Sequence, residues 1–182
     1  MEKIRQKLKW NEWPEYGKTG FFIVLIIGVT LTGYGVFTLA MGTSSPLVVV
    51  TSDSMLPTFE RGHLLVLQSR APEDINVGDV VVYNATWYDL APVVHRVIAR
   101  ENISGEYLYT VKGDHNDDPD PFPITYDQII GVVVYAIPWI GNITLFLQQP
   151  GVLPIIIVFL IILMIVPEFL PKKDEKESES VE

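Results

Sequence analysis

The sequence contains no cysteine among its 182 residues, which excludes disulfide bonds, thiolate chemistry and metal sites built on cysteine ligands. Without cysteine, the sequence gives no indication of the redox state of the compartment in which the protein resides. Positive charge is also scarce, because 13 lysines and arginines stand against 22 aspartates and glutamates, for a formal net charge of −9. That balance argues against nucleic acid as a main partner. The length suggests one modest domain with appendages.

Residues 21–41 form a first long stretch that lacks charge altogether. As an α-helix this stretch would be about 32 Å long, enough to cross a hydrocarbon core of about 30 Å. A cleaved secretory signal usually has a shorter apolar centre, and an uncharged core helix of this length is uncommon in a small domain. We therefore predict a transmembrane helix at residues 21–41, preceded by a cytoplasmic segment at residues 1–20.

A second apolar run covers residues 151–170, and its centre, residues 155–166, is entirely apolar. The run is close to the lower length limit for a span, and Pro154 falls in its first turn, where proline is tolerated. A hydrophobic hairpin and a buried helix are the alternatives, but we predict a second transmembrane helix. Residues 171–182 form an acidic tail, which its composition predicts to be disordered.

Basic residues flank the outer ends of the two predicted helices and are scarce between them. They are Lys3, Arg5, Lys7, Lys9 and Lys18 before the first helix, and Lys172, Lys173 and Lys176 after the second. Because positively charged flanks favour the cytoplasmic side, both termini are predicted to be cytoplasmic. The sequence thus predicts a multi-pass protein of the cell membrane, with residues 42–150 on the extracytoplasmic side.

The extracytoplasmic segment, residues 42–150, is rich in short β-branched and aromatic runs separated by turns that contain glycine, aspartate or proline. Strands are predicted at residues 47–50, 64–67, 80–83, 93–99, 107–111 and 129–136. The segment has no long amphipathic pattern that would indicate a helix. The predicted fold class is therefore mainly β, with a small β domain between two transmembrane helices.

The first chemically suggestive segment follows the first predicted strand and contains Ser52, Ser54, Met55 and Pro57. A strand end that presents one hydroxyl beside a second suits acyl chemistry, because one oxygen attacks while the other, with a backbone N–H, stabilises an oxyanion. An ordinary turn is the alternative, since serine, aspartate and proline favour turns.

A serine hydroxyl needs a general base, and the extracytoplasmic segment offers few candidates. They are His63, His95, His115 and Lys112. His95 lies inside a strand pattern, whereas His63 and His115 lie in polar, turn-like contexts that predict solvent exposure. A histidine within a strand is more often structural, so its position alone does not make His95 the base.

The densest acidic cluster lies at residues 114–120, where one carboxylate can orient a base histidine by accepting its hydrogen bond. Calcium binding is an alternative, because potential oxygen ligands alternate along this cluster. These ligands are Asp114, Asn116, Asp118 and Asp120. However, Pro119 and Thr125 occupy the places where an EF-hand loop has its glycine and its bidentate glutamate. A zinc site on the histidines and a solvated acidic turn also remain open.

Taken in order, four segments resemble those of type I signal peptidases of the archaeal and endoplasmic-reticulum kind. That family carries a Ser-x-Ser-Met-x-Pro box behind its membrane anchor, a Gly-Asp-hydrophobic strand, a His-Arg-Val-Ile strand, and a Lys-Gly-Asp box followed by an aspartate. The matching segments are residues 52–57, 78–82, 95–98 and 112–120. Any one box is weak, but four in order behind an apolar helix are a specific match, and the resemblance implies a signal-peptidase-like β domain.

The resemblance implies a role for each matched side chain. Ser54 is expected to be the nucleophile, His95 the general base and Asp120 the residue that orients His95. Asp114 is expected to support the site, and Ser52 to form the oxyanion hole together with the Ser54 amide. Since the bacterial branch has lysine in place of the histidine, His95 indicates the Ser-His branch.

The activity that the resemblance implies is that of a serine endopeptidase, which removes N-terminal signal peptides from secretory preproteins without a cofactor or metal. The implied partners are these preproteins, the lipid bilayer and the protein-conducting channel. With His95 as the base, activity is expected to fall on acidification as the imidazole becomes protonated. A non-catalytic β binding module and a calcium-binding surface domain are the rival functions.

The chain departs from the family pattern at three positions. Asp53 stands where the family usually has glycine between the two serines, and His63 where it has the aspartate of an Arg-Gly turn. His115 replaces the first asparagine of the last box. None of these changes removes a predicted catalytic group.

Overall fold

The computed structural model describes residues 13–88 and 91–169 of the chain. The predicted disordered tail at residues 171–182, and the basic residues at positions 3–9 and 172–176, lie outside these ranges. The predicted cytoplasmic orientation of the two termini depends on those basic residues, and it therefore stays a prediction.

Helix α1 spans Glu15–Met41, so it begins in the polar segment ahead of the predicted apolar run. Its first turn carries an ion pair between Lys18 and Glu15, with 2.9 Å between Nζ and Oε1. No residue of this helix, which is described over its whole length, is buried, so its apolar surface requires apolar surroundings such as a bilayer. Gly42 ends the helix with φ 67°, a left-handed conformation that glycine adopts without strain.

Two helices follow the sheet, where a single span was predicted. They are α2, Gly141–Leu147, and α3, Val152–Phe169, and the chain bends by 85° between them. Helix α3 lies within the predicted run, whereas α2 is too short to have been recognised from periodicity. The described residues contain one helix long and apolar enough to cross a membrane, or two if α2 and α3 form one bent span. The second transmembrane helix thus remains a prediction.

The strands form one antiparallel sheet in the order β1-β2-β7-β3-β4-β5-β6. Their bounds are β1 Leu47–Val49, β2 Leu64–Gln68, β3 Val80–Tyr83, β4 Val93–Ile103, β5 Glu106–Lys112, β6 Ile124–Thr125 and β7 Ile129–Ile137. All six predicted strands are present, which confirms the mainly β domain. Strand β6 was not predicted, because it has two residues. The described part of the chain also contains two single-turn 3₁₀ helices, Pro72–Asp74 and Tyr126–Gln128.

The core lies on both faces of β3. All four residues of this strand are buried, because β7 and β4 flank it and side chains cover both sides of the sheet. One face holds Tyr83 and Tyr109 within the larger apolar cluster, and the other holds Val82 with Leu65 and Leu67. Burial of apolar area stabilises these clusters by about 25 cal/mol per Å². The clusters support the neighbouring strand β4, which presents polar side chains.

Candidate active site

The loop between β1 and β2 presents Ser54. Met55, the next residue, is 1% exposed and anchors this loop in the protein interior. The Phe59 amide donates to the Met55 carbonyl at 2.9 Å and closes a turn around that anchor. The Ser54 hydroxyl oxygen lies 3.2 Å from that of Ser52, so the two hydroxyls that were predicted to act together are neighbours.

His95 projects from β4, where it lies opposite Val81 of β3. Its Nδ1 atom lies 2.8 Å and 2.9 Å from the two carboxylate oxygens of Asp120. The exposed fractions of these two side chains are 8% and 7%. An Nδ1–H bond to the carboxylate fixes the tautomer and leaves the Nε2 lone pair free to accept a proton. The structure thus brings the predicted base and its predicted orienting carboxylate together.

Tyr83 is a third member of this buried group, and sequence reasoning missed it. Its hydroxyl donates a short hydrogen bond to the Asp120 carboxylate and lies 3.5 Å from His95 Nδ1. Burial, and then the hydrogen bond to Asp120, raise the pKa of the Tyr83 phenol, so it remains a neutral donor. A buried tyrosine needs a polar partner, but the sequence signal is weak, because that partner lies 37 residues away.

Gly113 lies where the Ser54 loop meets the His95 strand. A Cβ atom at this position would stand 2.6 Å from the Ser54 carbonyl oxygen and 2.9 Å from His95 Nε2. Only glycine fits that gap without displacing one of the two. A backbone hydrogen bond also joins the two segments here, because the His115 amide donates to the Ser54 carbonyl at 2.9 Å.

Ser52, Ser54, His95 and Asp120 all line one open cleft of about 360 Å³. Most of the other residues that line it are apolar, and they include Val49, Val50, Met55, Ala91, Pro92 and Val93. In the described part of the chain, no hydrogen bond joins the Ser54 hydroxyl to His95 Nε2. Such bonds are often long in free enzymes and tighten when substrate binds. A hydroxyl and an oriented imidazole in one cleft, with a second hydroxyl beside them, can perform acyl transfer.

Asp114 occupies a second, separate polar cluster. Arg96 donates to its two carboxylate oxygens at 2.8 Å and 2.6 Å, and the Thr58 hydroxyl donates at 2.5 Å. The hydrogen bond from Arg96 lowers the pKa of the Asp114 carboxyl and outweighs the opposing effect of partial burial. Because Thr58 belongs to the Ser54 loop and Arg96 follows His95, this cluster ties the loop to the strand.

The four potential calcium ligands do not form one cage. Asp114 is paired with Arg96, whereas Asp120 is paired with His95. Among residues 13–88 and 91–169, no three histidine, aspartate or glutamate side chains are grouped so that they could hold a metal ion. The geometry therefore favours neither the calcium nor the zinc alternative.

Within the part of the chain that the structure describes, the other candidate bases lack the carboxylate contact that His95 makes. His115 is exposed, as predicted, whereas His63 is half-buried, with its ring beside Phe59, and is less exposed than predicted. His63 Nδ1 lies 2.9 Å from the Glu60 carbonyl oxygen. Lys112 Nζ donates to the Asp117 carbonyl at 3.4 Å. The described contacts thus single out His95 as the histidine with a carboxylate partner.

Several curated fungal proteins are similar to this chain. Signal peptidase complex catalytic subunit SEC11 of Pyricularia oryzae is 35% identical over 133 residues, which is 69% of this chain and 77% of that protein. The subunit of the same name from Sclerotinia sclerotiorum is 36% identical over the same shares. That of Leptosphaeria maculans is 40% identical over 116 residues, 59% of this chain and 66% of the relative. No family model matches the chain.

Proposed function

This chain belongs to the family of signal peptidase complex catalytic subunits, and we propose that Ser54, His95 and Asp120 are the residues that carry its chemistry. It is a membrane-bound serine endopeptidase that removes N-terminal signal peptides from secretory preproteins. The observation that supports these roles is the buried pair of His95 and Asp120 in the same cleft as Ser54. We infer each step of the reaction from that arrangement.

In the first step, the Ser54 oxygen attacks the carbonyl carbon of the scissile peptide bond, and His95 Nε2 takes the hydroxyl proton. The resulting imidazolium is stabilised by the Asp120 carboxylate, which lies 2.8 Å from Nδ1. His95 then gives the proton to the leaving amine, and an acyl-enzyme forms on Ser54. A water molecule, activated by the same imidazole, hydrolyses the acyl-enzyme and releases the signal peptide.

The negative charge of the tetrahedral intermediate needs donors beside Ser54. The Ser52 hydroxyl, 3.2 Å from the Ser54 hydroxyl oxygen, is suitably close, and the Ser54 amide is the second proposed donor. Removal of one such donor costs other serine proteases about 100- to 1,000-fold in rate. The apolar wall of the cleft suits the small side chains that end a signal peptide.

The domain is attached closely to the end of α1. The Ser69 amide donates to the Met41 carbonyl at 2.8 Å, and the Leu67 amide donates to the Pro46 carbonyl at 2.8 Å. Ser54 follows Met41 by 13 residues, so the chain holds it within about 45 Å of the helix end. This attachment supports an active site near the membrane surface, on the extracytoplasmic side, where a signal peptide's cleavage point emerges. We also propose two membrane spans with both termini cytoplasmic.

We also propose that this chain has partners other than its preprotein substrates. The relatives are named as subunits of a complex, which supports assembly of this chain with other subunits. A further proposed partner is the protein-conducting channel that delivers the preprotein, together with the lipid bilayer around α1. No step of the proposed reaction requires a cofactor.

The experiment that tests the proposed function is cleavage of a model preprotein by the detergent-solubilised protein. Ser54→Ala should abolish turnover, because the attacking oxygen is lost, while the unfolding temperature stays close to that of the wild type. Ser44→Ala, at an exposed serine between α1 and β1, is the matched control and should cleave normally. Wild-type turnover by Ser54→Ala would refute Ser54 as the nucleophile, whereas a wild type that binds the preprotein without cleaving it would favour the non-catalytic binding module.

A further inference from the structure

We propose that Tyr83 is a positioning residue of the active site, whose hydroxyl holds the Asp120 carboxylate in the orientation that serves His95. The inference rests on the proposed roles of His95 and Asp120. It goes beyond them, because it assigns a function to a residue that lies outside every segment that resembles the family's boxes.

Asp120 needs such a holder because it lies on a loop. Its position follows β5 and precedes β6, and its backbone amide donates to the Val111 carbonyl at 2.9 Å. That bond fixes the backbone but leaves the carboxylate free to rotate about its side-chain bonds. Two donors on adjacent strands remove this freedom, His95 from β4 and Tyr83 from β3.

The Tyr83 hydroxyl is itself held rigidly. The residue is completely buried, and its ring packs within the larger core cluster with its centroid 6.2 Å from that of Trp87. Strand β3 pairs with β4 so that Val81 lies opposite His95 and Tyr83 lies opposite Val93. The hydroxyl thus approaches the carboxylate from a fixed point of the sheet.

The hydrogen bond also affects charge. The titratable groups that face His95 are Tyr83 from β3, Asp120 from the loop after β5 and, at longer range, Asp114, which Arg96 of β4 neutralises. A hydroxyl that donates to Asp120 disperses part of the carboxylate's charge, so the carboxylate stabilises a protonated imidazole less. Without the hydroxyl, the Asp120 carboxylate should stabilise a protonated imidazole more strongly.

Tyr83→Phe removes this donor and keeps the ring. Tyr109→Phe is the matched control, because Tyr109 is equally buried in the same cluster and its hydroxyl donates to the Pro72 carbonyl at 2.7 Å, in a contact that involves no residue of the cleft. We expect Tyr83→Phe to lower kcat for preprotein cleavage about 10-fold, with KM nearly unchanged. The acid limb of its pH–rate profile should move to higher pH. Tyr109→Phe should keep the wild-type kcat and profile.

Three outcomes decide the matter. An unchanged kcat and acid limb in Tyr83→Phe, or equal losses in both variants, would overturn the positioning role. Asp120→Ala separates this inference from the proposed function: full activity in that variant would refute the role of Asp120 itself. If Asp120→Ala is inactive while Tyr83→Phe behaves as wild type, only the role of Tyr83 fails.

A second variant covers the case in which Tyr83→Phe does not fold. Replacement of Tyr83 by 3-fluorotyrosine keeps the shape of the side chain and makes its hydroxyl a stronger donor. The acid limb should then move to lower pH, because more of the Asp120 charge is dispersed. An acid limb that stays in place, or that moves to higher pH, would contradict the inference.

Discussion

The two sides of the cleft differ in how completely they are assembled. On the base side, His95, Asp120 and Tyr83 are buried and joined by hydrogen bonds, and two of the three come from strands. On the nucleophile side, Ser54 lies on a loop in which Ser52 and Asp53 are exposed. The one hydrogen bond that the described residues give the Ser54 hydroxyl is to Ser52. In the proposed mechanism, the base is therefore fixed before substrate arrives, whereas the position of the Ser54 hydroxyl is completed when substrate binds.

This contrast has an energetic consequence. A buried polar group that loses its partner costs about 1–3 kcal/mol, whereas a group already in contact with solvent costs little. Substitutions on the base side should thus reduce both stability and activity. Substitutions at the Ser54 hydroxyl should reduce activity alone.

His95→Ala should have the largest combined effect. Loss of the proposed general base should reduce preprotein cleavage at least about 1,000-fold. The free energy of unfolding should fall by about 1–3 kcal/mol, because the Asp120 carboxylate stays buried without its imidazole partner. Cleavage assays and denaturant unfolding of the solubilised protein measure the two effects. His115→Ala, at an exposed imidazole, is the control. Equal destabilisation by His95→Ala and Ser54→Ala would contradict the difference between the two sides of the cleft.

Gly113→Ala should disturb the junction of the two sides. The added methyl carbon would stand 2.6 Å from the Ser54 carbonyl oxygen, which belongs to the backbone and cannot simply rotate away. Because a misplacement of about 1 Å can cost about 100-fold, we expect a loss of activity between about 10- and 100-fold. Gly33→Ala is the control, since a methyl group there meets nothing within 4 Å. Normal cleavage by Gly113→Ala would show that the junction tolerates movement.

Asp114→Asn should have the smallest effect, because the Arg96 pair is partly exposed and lies outside the cleft lining. We expect a loss of about 1 kcal/mol in the free energy of unfolding and a decrease of a few fold in activity. Because the pKa of Asp114 is lowered in the folded protein, its contribution to stability depends on pH. It is present above the pKa of the unfolded carboxyl, about 4, and is lost as the pH falls through the lower folded value.

The measurement is denaturant unfolding of the wild type and of Asp114→Asn over a range of acidic pH. The wild type should lose stability on acidification below about pH 4, and the variant should lose less, because it lacks this carboxylate. Parallel loss in the two proteins would mean that the Arg96 contact contributes nothing measurable to stability.

The sequence predicts much of the sheet, because its strands carry local signals. Strand β3, with four consecutive β-branched or aromatic residues, is predicted with its observed bounds. Strand β4 continues to Ile103, past a bulge between Val97 and Ala99, whereas the β-branched run from which it was predicted gives way to polar residues after residue 99. Helix α2 and strand β6 are too short for any periodicity to reveal.

The sequence predicts the site less completely, because its contacts join distant positions. The pairing of His95 with Asp120 follows from resemblance and not from spacing. The contacts of Tyr83 with Asp120, and of Arg96 with Asp114, depend on strand register and on the loop after β5. No local pattern encodes either contact. The sequence singles out the groups with obvious chemistry, while the residues that hold them become visible in the fold.

The most direct test of the account is covalent labelling of the solubilised protein with an electrophilic peptide phosphonate that ends in a small residue. Mass spectrometry should find one adduct, on Ser54, and His95→Ala should lose it, because the hydroxyl has no base. A label on another residue, or a Ser54 adduct that forms equally fast without His95, would contradict the convergence of these two side chains in one catalytic site.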